Sequence, residues 1–124
     1  MQTVKESKYN LISKSSINNM QVSPRRLQLV ANYIRGKKVT ECIDFLTFDN
    51  RKASERMLVL LNSAVANASS VSKDDMYVAD VMVGKGVYLK GRGVPAGRGR
   101  FQPHLKRTSN VTIKIGSLNS TEAK

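Results

Sequence analysis

Leu27, Val30, Ala31 and Ile34 stand at i, i+3, i+4 and i+7, a spacing that puts all four on one face of an α-helix. Ser23 and Pro24 mark the start of that helix. Serine suits the cap position, and proline suits the first turn because the N–H it lacks would be unpaired there anyway. Gly36 marks the end, where a left-handed residue is favoured. A second, short helix is read over 40–46, with Ile43 and Leu46 turned inward. Asp49 or Asn50 caps a third and longer helix running to about Ser69. Its apolar stripe is Ala53, Met57, Leu58, Leu61, Ala64, Val65 and Ala68, and the small residues Ala64, Ala66 and Ala68 allow close packing.

Elsewhere the period falls to two. Residues 16–22 read as a short strand with Met20 and Val22 on one side and Gln21 on the other. Residues 76–83 set Tyr77, Ala79, Val81 and Val83 against Val78, Asp80 and Met82. Near the end, Val111, Ile113 and Ile115 alternate with Thr112 and Lys114. The expected fold class is α+β: three helices packed on a three-stranded antiparallel sheet, with a long protruding basic β-hairpin. The chain, 1–124, reads as one domain. Its body spans about 16–83 and 108–116, its hairpin about 84–107, and polar tails 1–15 and 117–124, with Lys5, Lys8 and Lys14 exposed.

The hairpin segment reads GKGVYLKGRGVPAGRGRFQPHLKR and holds six of the eight glycines and two of the three prolines. Its charge is wholly positive, from Lys85, Lys90, Arg92, Arg98, Arg100, Lys106 and Arg107. No acidic residue occurs between Val81 and Thr121. So basic a segment, with so few large apolar groups, cannot fold around a core of its own. Paired antiparallel with a turn near 93–95, its arms would reach on the order of 35 Å at about 3.3 Å per residue. Two strands alone are marginal in water, so residues 86–102 are expected to be mobile in the isolated protein, which is expected to be a monomer.

The whole chain carries 21 Lys plus Arg against 9 Asp plus Glu, a net charge of +12. Neutralising phosphates releases condensed counterions, so a polyanion is the expected partner. Arg35, Lys37 and Lys38 close the first helix, where cations complement the helix dipole. Arg25 and Arg26 open it, at the end where cations are disfavoured, and so point to phosphate. Tyr88 and Phe101 could stack on unpaired bases or pack across the ribbon; both roles fit the pattern. Asn62, Ser63 and Asn67 read, on pattern alone, as a solvated helix surface.

Catalytic and cofactor chemistry finds little support. Gly91-Arg92-Gly93 lacks the third glycine of a dinucleotide loop, and no Gly-Lys-Ser/Thr is present. His104 is the sole histidine and has no cluster of Cys or carboxylate around it, so neither a metal nor a cofactor is expected. Asp74 and Asp75 read as a solvated turn. Cys42, the one cysteine, rules out an internal disulfide and favours a reducing compartment. No run approaches a membrane span, and the first residues lack a secretory core. A cytoplasmic protein, or one made inside an organelle, is expected.

Three separated motifs carry a resemblance. SPRR at 23–26, with LVA at 29–31 and IRGKKV at 34–39, is similar to the bacterial-type ribosomal protein L-twenty-two family of the large subunit. So are LNSAVANA at 61–68 and KRTS at 106–109 before a final strand. The resemblance covers about 16–115 and implies a body bound to large-subunit rRNA among neighbouring ribosomal proteins. It also implies a hairpin that lines the exit tunnel of the nascent polypeptide, and a location on cytoplasmic or organelle ribosomes. By position it implies rRNA contacts from Arg25, Arg26, Arg35, Lys37, Lys38, Asn62, Ser63 and Asn67. In the hairpin it implies them from Lys85, Lys90, Arg92, Arg98, Arg100, Lys106 and Arg107. The implied tunnel-lining tip is Gly91, Arg92, Gly93, Val94, Pro95, Ala96 and Gly97. This chain departs from the family pattern at Gly91, at Ala96-Gly97, at Gln21 and at Asn110.

Two other classes share some of these features. A histone-like DNA-bending protein also uses basic β-arms with a proline near the tip, but needs a dimer-forming body. A disordered Arg-Gly RNA binder would explain Gly91-Arg92-Gly93 and Gly97-Arg98-Gly99, but not the flanking strands. Preference for structured rRNA over duplex DNA separates the first rival from the ribosomal reading.

Overall fold

Strand β5 (Leu105–Leu118) is the middle of a three-stranded sheet, with β1 (Tyr9–Met20) along one edge and β2 (Tyr77–Lys90) along the other. Both pairings are antiparallel, and the computed structural model describes residues 9–68 and 73–118. Val111, Ile113 and Ile115 of β5 are buried, as their alternation requires. They meet helices α1 (Pro24–Ile34), α2 (Val39–Phe48) and α3 (Lys52–Ala66) in one core. The α+β class follows from this layering.

In α1, Leu27, Val30, Ala31 and Ile34 are all buried. Burying each of the larger ones stabilises the fold by about 1.5–3 kcal/mol before entropy is counted. Ser23 occupies the cap position, but its hydroxyl makes no capping bond; its carbonyl accepts from Arg26 and Leu27 instead. Gly36 has φ +79°, the left-handed stop expected of it. Helix α2 is longer than the 40–46 read from the sequence, and within it Leu46 is buried and Ile43 packs partly against the core.

Helix α3 begins at Lys52 and not at Asp49 or Asn50, with Arg51 in the cap position. Asp49 is taken up otherwise: its carboxylate accepts the Ser54 hydroxyl and lies 3.7 Å from the Arg51 guanidinium. Ala53, Met57, Leu61, Ala64 and Ala68 are buried, and Leu58 and Val65 partly so. Leu60 and Ser54 are also buried, which the stripe did not include. Serines fasten α3 to β1. Ser13 Oγ donates to the Ala64 carbonyl at 2.7 Å, and Ser15 Oγ to Ser63 Oγ at 3.4 Å.

Strand β1 starts seven residues before the 16–22 expected. Its early part pairs Tyr9 with Leu118 and Lys14 with Lys114, so β5 likewise runs past Ile115 into the region read as a tail. Leu11 is exposed and Ile12 only partly buried, which is why alternation gave no signal there. The pairing comes from a partner about a hundred positions away. Gly116 lies in this stretch, where an added Cβ would come within 2.5 Å of the Asn10 carbonyl.

Strand β2 departs from simple alternation. Its register slips between Val78 and Asp80, so Val78 and Val81 are both fully buried although the sequence placed them on opposite faces. A bulge re-aims side chains in this way. The α1–α2 link pairs with the start of β2 nearby. Gly36 N donates to Val78 O at 2.8 Å, Val78 N to Lys37 O at 3.0 Å, and Val39 N to Met76 O at 3.0 Å.

Candidate nucleic-acid interface

Beyond Val83 and Val111 the two strands continue as the basic ribbon. Gly84 faces Asn110 and Lys85 faces Ser109; after a register slip, Tyr88 faces Arg107 and Lys90 faces Leu105. A two-residue ladder follows, with β3 (Val94–Pro95) paired to β4 (Phe101–Gln102). Val94 opposite Gln102 and Pro95 opposite Phe101 put the apex at Arg98, not at 93–95. The turn is closed by Ala96 N donating to Arg100 O at 2.8 Å. Arg98 and Gly99 both take left-handed backbone, φ +60° and +68°. Glycine does this freely and arginine does not, so the turn centres where glycine allows it, and Pro95 sits in the ladder.

Phe101 lies against Gly93, where an added Cβ would fall 1.8 Å from its ring. The ring is still 73% exposed. It therefore covers a glycine on one face and offers the other to solvent. Tyr88 is exposed as well.

The register slip between Lys85 and Tyr88 is held by residues the sequence did not single out. Asn19, at φ +56°, accepts on its Oδ1 from Val87 N at 3.2 Å, and its own N–H donates to Asn110 Oδ1 at 2.9 Å. Thr108 Oγ1 donates to the Val87 carbonyl, and an added Cβ on Gly86 would meet Thr108 Oγ1 at 2.5 Å. Asparagine tolerates left-handed backbone better than most residues. That preference was the only available sign of its role.

All seven ribbon cations, Lys85, Lys90, Arg92, Arg98, Arg100, Lys106 and Arg107, are exposed. Arg25 and Arg26 are exposed in the first turn of α1, which contains no acid. Lys38 is exposed at the cap of α2, Asn62 and Ser63 are exposed on α3, and Asn67 is exposed at the C-terminal cap of α3. Arg35 is committed to the fold. Its guanidinium bonds Asp80 Oδ1 at 3.0 Å, the Val81 carbonyl, and Asn32 Oδ1 at 3.2 Å. Lys37 places its ammonium 3.4 Å from the centre of the Tyr33 ring, which stacks on Phe45. These are structural engagements, so Arg35 and Lys37 offer less free charge than their neighbours.

Arg26, Lys106 and Arg107 share an open groove of about 760 Å³ with Arg51, Lys52 and His104. Sequence reasoning passed over Arg51 and Lys52, because only the tertiary fold brings the start of α3 beside the ribbon. Cys42 is buried, and desolvation raises its pKa to about 11, with nearby Lys37 opposing and Glu41 adding to the rise. Among the described residues, no group of three or more His, Cys, Asp or Glu is placed to hold a metal. No described helix is long and apolar enough to cross a membrane.

Curated relatives named large ribosomal subunit protein uL22 match most of the chain. The protein of Metamycoplasma hominis is 41% identical over 111 residues, 87% of this chain and 85% of its own length. That of Cereibacter sphaeroides is 38% identical over 110 residues, 86% of each. That of Christiangramia forsetii is 34% identical over 126 residues, 97% of this chain and 92% of its own. The family described as ribosomal protein L22p/L17e matches residues 15–116, from within β1 to near the end of β5. With the family matched over residues 15–116 and relatives 34–41% identical over most of the chain, the chain belongs to the ribosomal protein L22p/L17e family.

Proposed function

We propose that this protein is a structural constituent of the large ribosomal subunit that binds large-subunit rRNA with two basic surfaces. One is the start of α1, with Arg25 and Arg26, extended by Lys37, Lys38 and the polar side chains Asn62, Ser63 and Asn67. The other is the ribbon. Neighbouring ribosomal proteins complete the docking, on ribosomes of a bacterial cytoplasm or of an organelle. The tip, Gly91 to Gly97, lines the path of the nascent polypeptide. The chain is not an enzyme; members of its family are structural.

One observation carries the rRNA reading. Seven exposed cations project from a ribbon with no acid between Val81 and Leu118, an arrangement that repels itself until phosphates neutralise it. Arg35 fits the reading as the anchor of α1 more than as a phosphate contact.

The test is binding of the purified protein to large-subunit rRNA over a range of salt. Changing Arg25 and Arg26 together to Ala should weaken binding and lower the salt slope by up to about two ion equivalents, roughly one per phosphate. An unchanged slope would mean that these arginines only solvate the helix start. Failure of the tagged protein to co-sediment with large subunits would remove the assembly reading altogether.

A further inference from the structure

A groove of about 760 Å³ opens where the start of α1, the start of α3 and the returning arm of the ribbon converge. Each contributes charge: Arg26 from α1, Arg51 and Lys52 from the start of α3, Lys106 and Arg107 from β5. Asp49 offsets Arg51 in part, at 3.7 Å, while the Ser54 hydroxyl holds the same carboxylate. The other four cations make no ion pair with a described residue. Both helices begin here, and neither has a side chain closing its first turn, so the positive ends of their dipoles add to the potential.

The same groove is lined by Leu29 and Leu105, which are 61% and 46% exposed. A concavity with a cationic rim and an apolar wall does not match a regular RNA duplex, which offers phosphates on the outside and hides its bases. A nucleotide pulled out of its stack offers both an anion and a flat apolar ring. The volume also falls in the range of roughly 300–1,000 Å³ typical of small-ligand pockets.

We infer that the groove is a pocket for one unpaired nucleotide of the bound RNA. Its base lies against Leu29 and Leu105, and its flanking phosphates meet Arg26, Arg51, Lys52, Lys106 and Arg107. The inference rests on the rRNA-binding reading and adds to it a defined contact. That contact joins α3 to the ribbon through RNA, and it makes Arg51 and Lys52 RNA-binding residues.

Photo-cross-linking tests this. The photoreactive residue p-benzoylphenylalanine replaces Leu29 in one variant and Leu105 in a second. A third carries it in place of Phe48, which is 85% exposed on α2 and outside the groove. Each is bound to a transcript of the large-subunit rRNA from the same source, irradiated, and mapped by reverse-transcription stops. Positions 29 and 105 should mark the same unpaired nucleotide or its immediate neighbours, and position 48 should not. In an Arg51→Ala, Lys52→Ala background those cross-links should weaken, with affinity falling up to about tenfold and the salt slope by one to two equivalents. Cross-links at 29 and 105 that scatter over duplex RNA, fall in unrelated places, or in assembled subunits go to an acidic protein segment would overturn the pocket and leave rRNA binding intact. A protein that binds the transcript nowhere would overturn the rRNA reading itself.

Discussion

The main-chain N–H of Asn19 donates to Oδ1 of Asn110 across 2.9 Å, joining the end of β1 to β5 where the ribbon leaves the sheet. Asn19 also receives the Val87 N–H, while Asn110 Nδ2 approaches the Lys85 carbonyl at 3.5 Å. The two side chains thus satisfy backbone groups that the register slip leaves without strand partners. Asn110→Ala should cost about 1 kcal/mol, the net value of such a bond. Asn19→Gly loses the bond to Val87 N–H but takes φ +56° freely, so it should also cost about 1 kcal/mol, whereas Asn19→Val should add about 1–3 kcal/mol of backbone strain to that loss. Urea unfolding measures all three. Equal losses for Gly and Val would show that the side-chain bonds, not the backbone, govern this corner.

Arg35 ties the last turn of α1 to Asp80 and Val81 of β2. Its ion pair is part-buried, the two side chains being 30% and 28% exposed. Arg35→Ala should therefore lower stability by about 1–2 kcal/mol, between the values of exposed and buried charged bonds. Arg35→Lys should recover little, since one ammonium cannot span the three acceptors that the guanidinium reaches. Thermal unfolding measures the loss. Unchanged stability with strongly reduced rRNA affinity would make Arg35 a phosphate contact instead.

Cys42 gives the fold a dependence on high pH. Burial raises its pKa to about 11, so the native state keeps the proton that the unfolded thiol releases near pH 9. Below that pH the two states bind the proton alike and the thiol contributes nothing. As pH rises from about 9 to 11, stability attributable to this group falls, by up to about 2–3 kcal/mol for two pKa units. Lysines and tyrosines titrate in the same range, so the measurement is the difference between the wild type and Cys42→Ala. That difference should change in favour of the alanine variant across this window. A constant difference would contradict the assignment.

The observed apex sets how the tip should be shortened. Deleting 91–97 alone would leave 98–104 without an opposite arm, because Val94 pairs with Gln102. Removing 91–104, just above the Lys90–Leu105 pair, and closing with Asn-Gly, a favoured hairpin turn, keeps the remaining ladder in register. This variant should still enter large subunits while altering passage of nascent peptides or sensitivity to small molecules that lodge in the tunnel. Ala96→Trp, at an exposed position, should affect the same readouts by narrowing the space. Loss of incorporation would make the tip an assembly anchor. Unchanged translation in both variants would remove the tunnel-wall role.

The helices were legible in the sequence because their determinants are local. Leu27, Val30, Ala31 and Ile34 announce a buried face at helical spacing, and Gly36 announces the stop within a few residues. Val111, Ile113 and Ile115 did the same for the central strand, and the one-signed charge of 84–107 marked the ribbon. Where the sequence failed, the cause lay at long range. The first half of β1 exists because β5 offers it hydrogen bonds, which no pattern in Asn10, Leu11 and Ile12 reveals. Val78 is buried because a bulge, set by pairing with β5, overrides the alternation of β2. The apex fell at Arg98 because strand register and the left-handed preference of Gly99 outweighed the pull of Pro95 toward a turn. Arg51 and Lys52 join the basic groove only because α3 starts beside the ribbon. Periodicity and charge are properties of neighbours in sequence, so composition and order alone determined the helices, the central strand and the one-signed charge of the ribbon. Register, bulges and the convergence of cations depend on residues distant in sequence, so only the packed chain decided them.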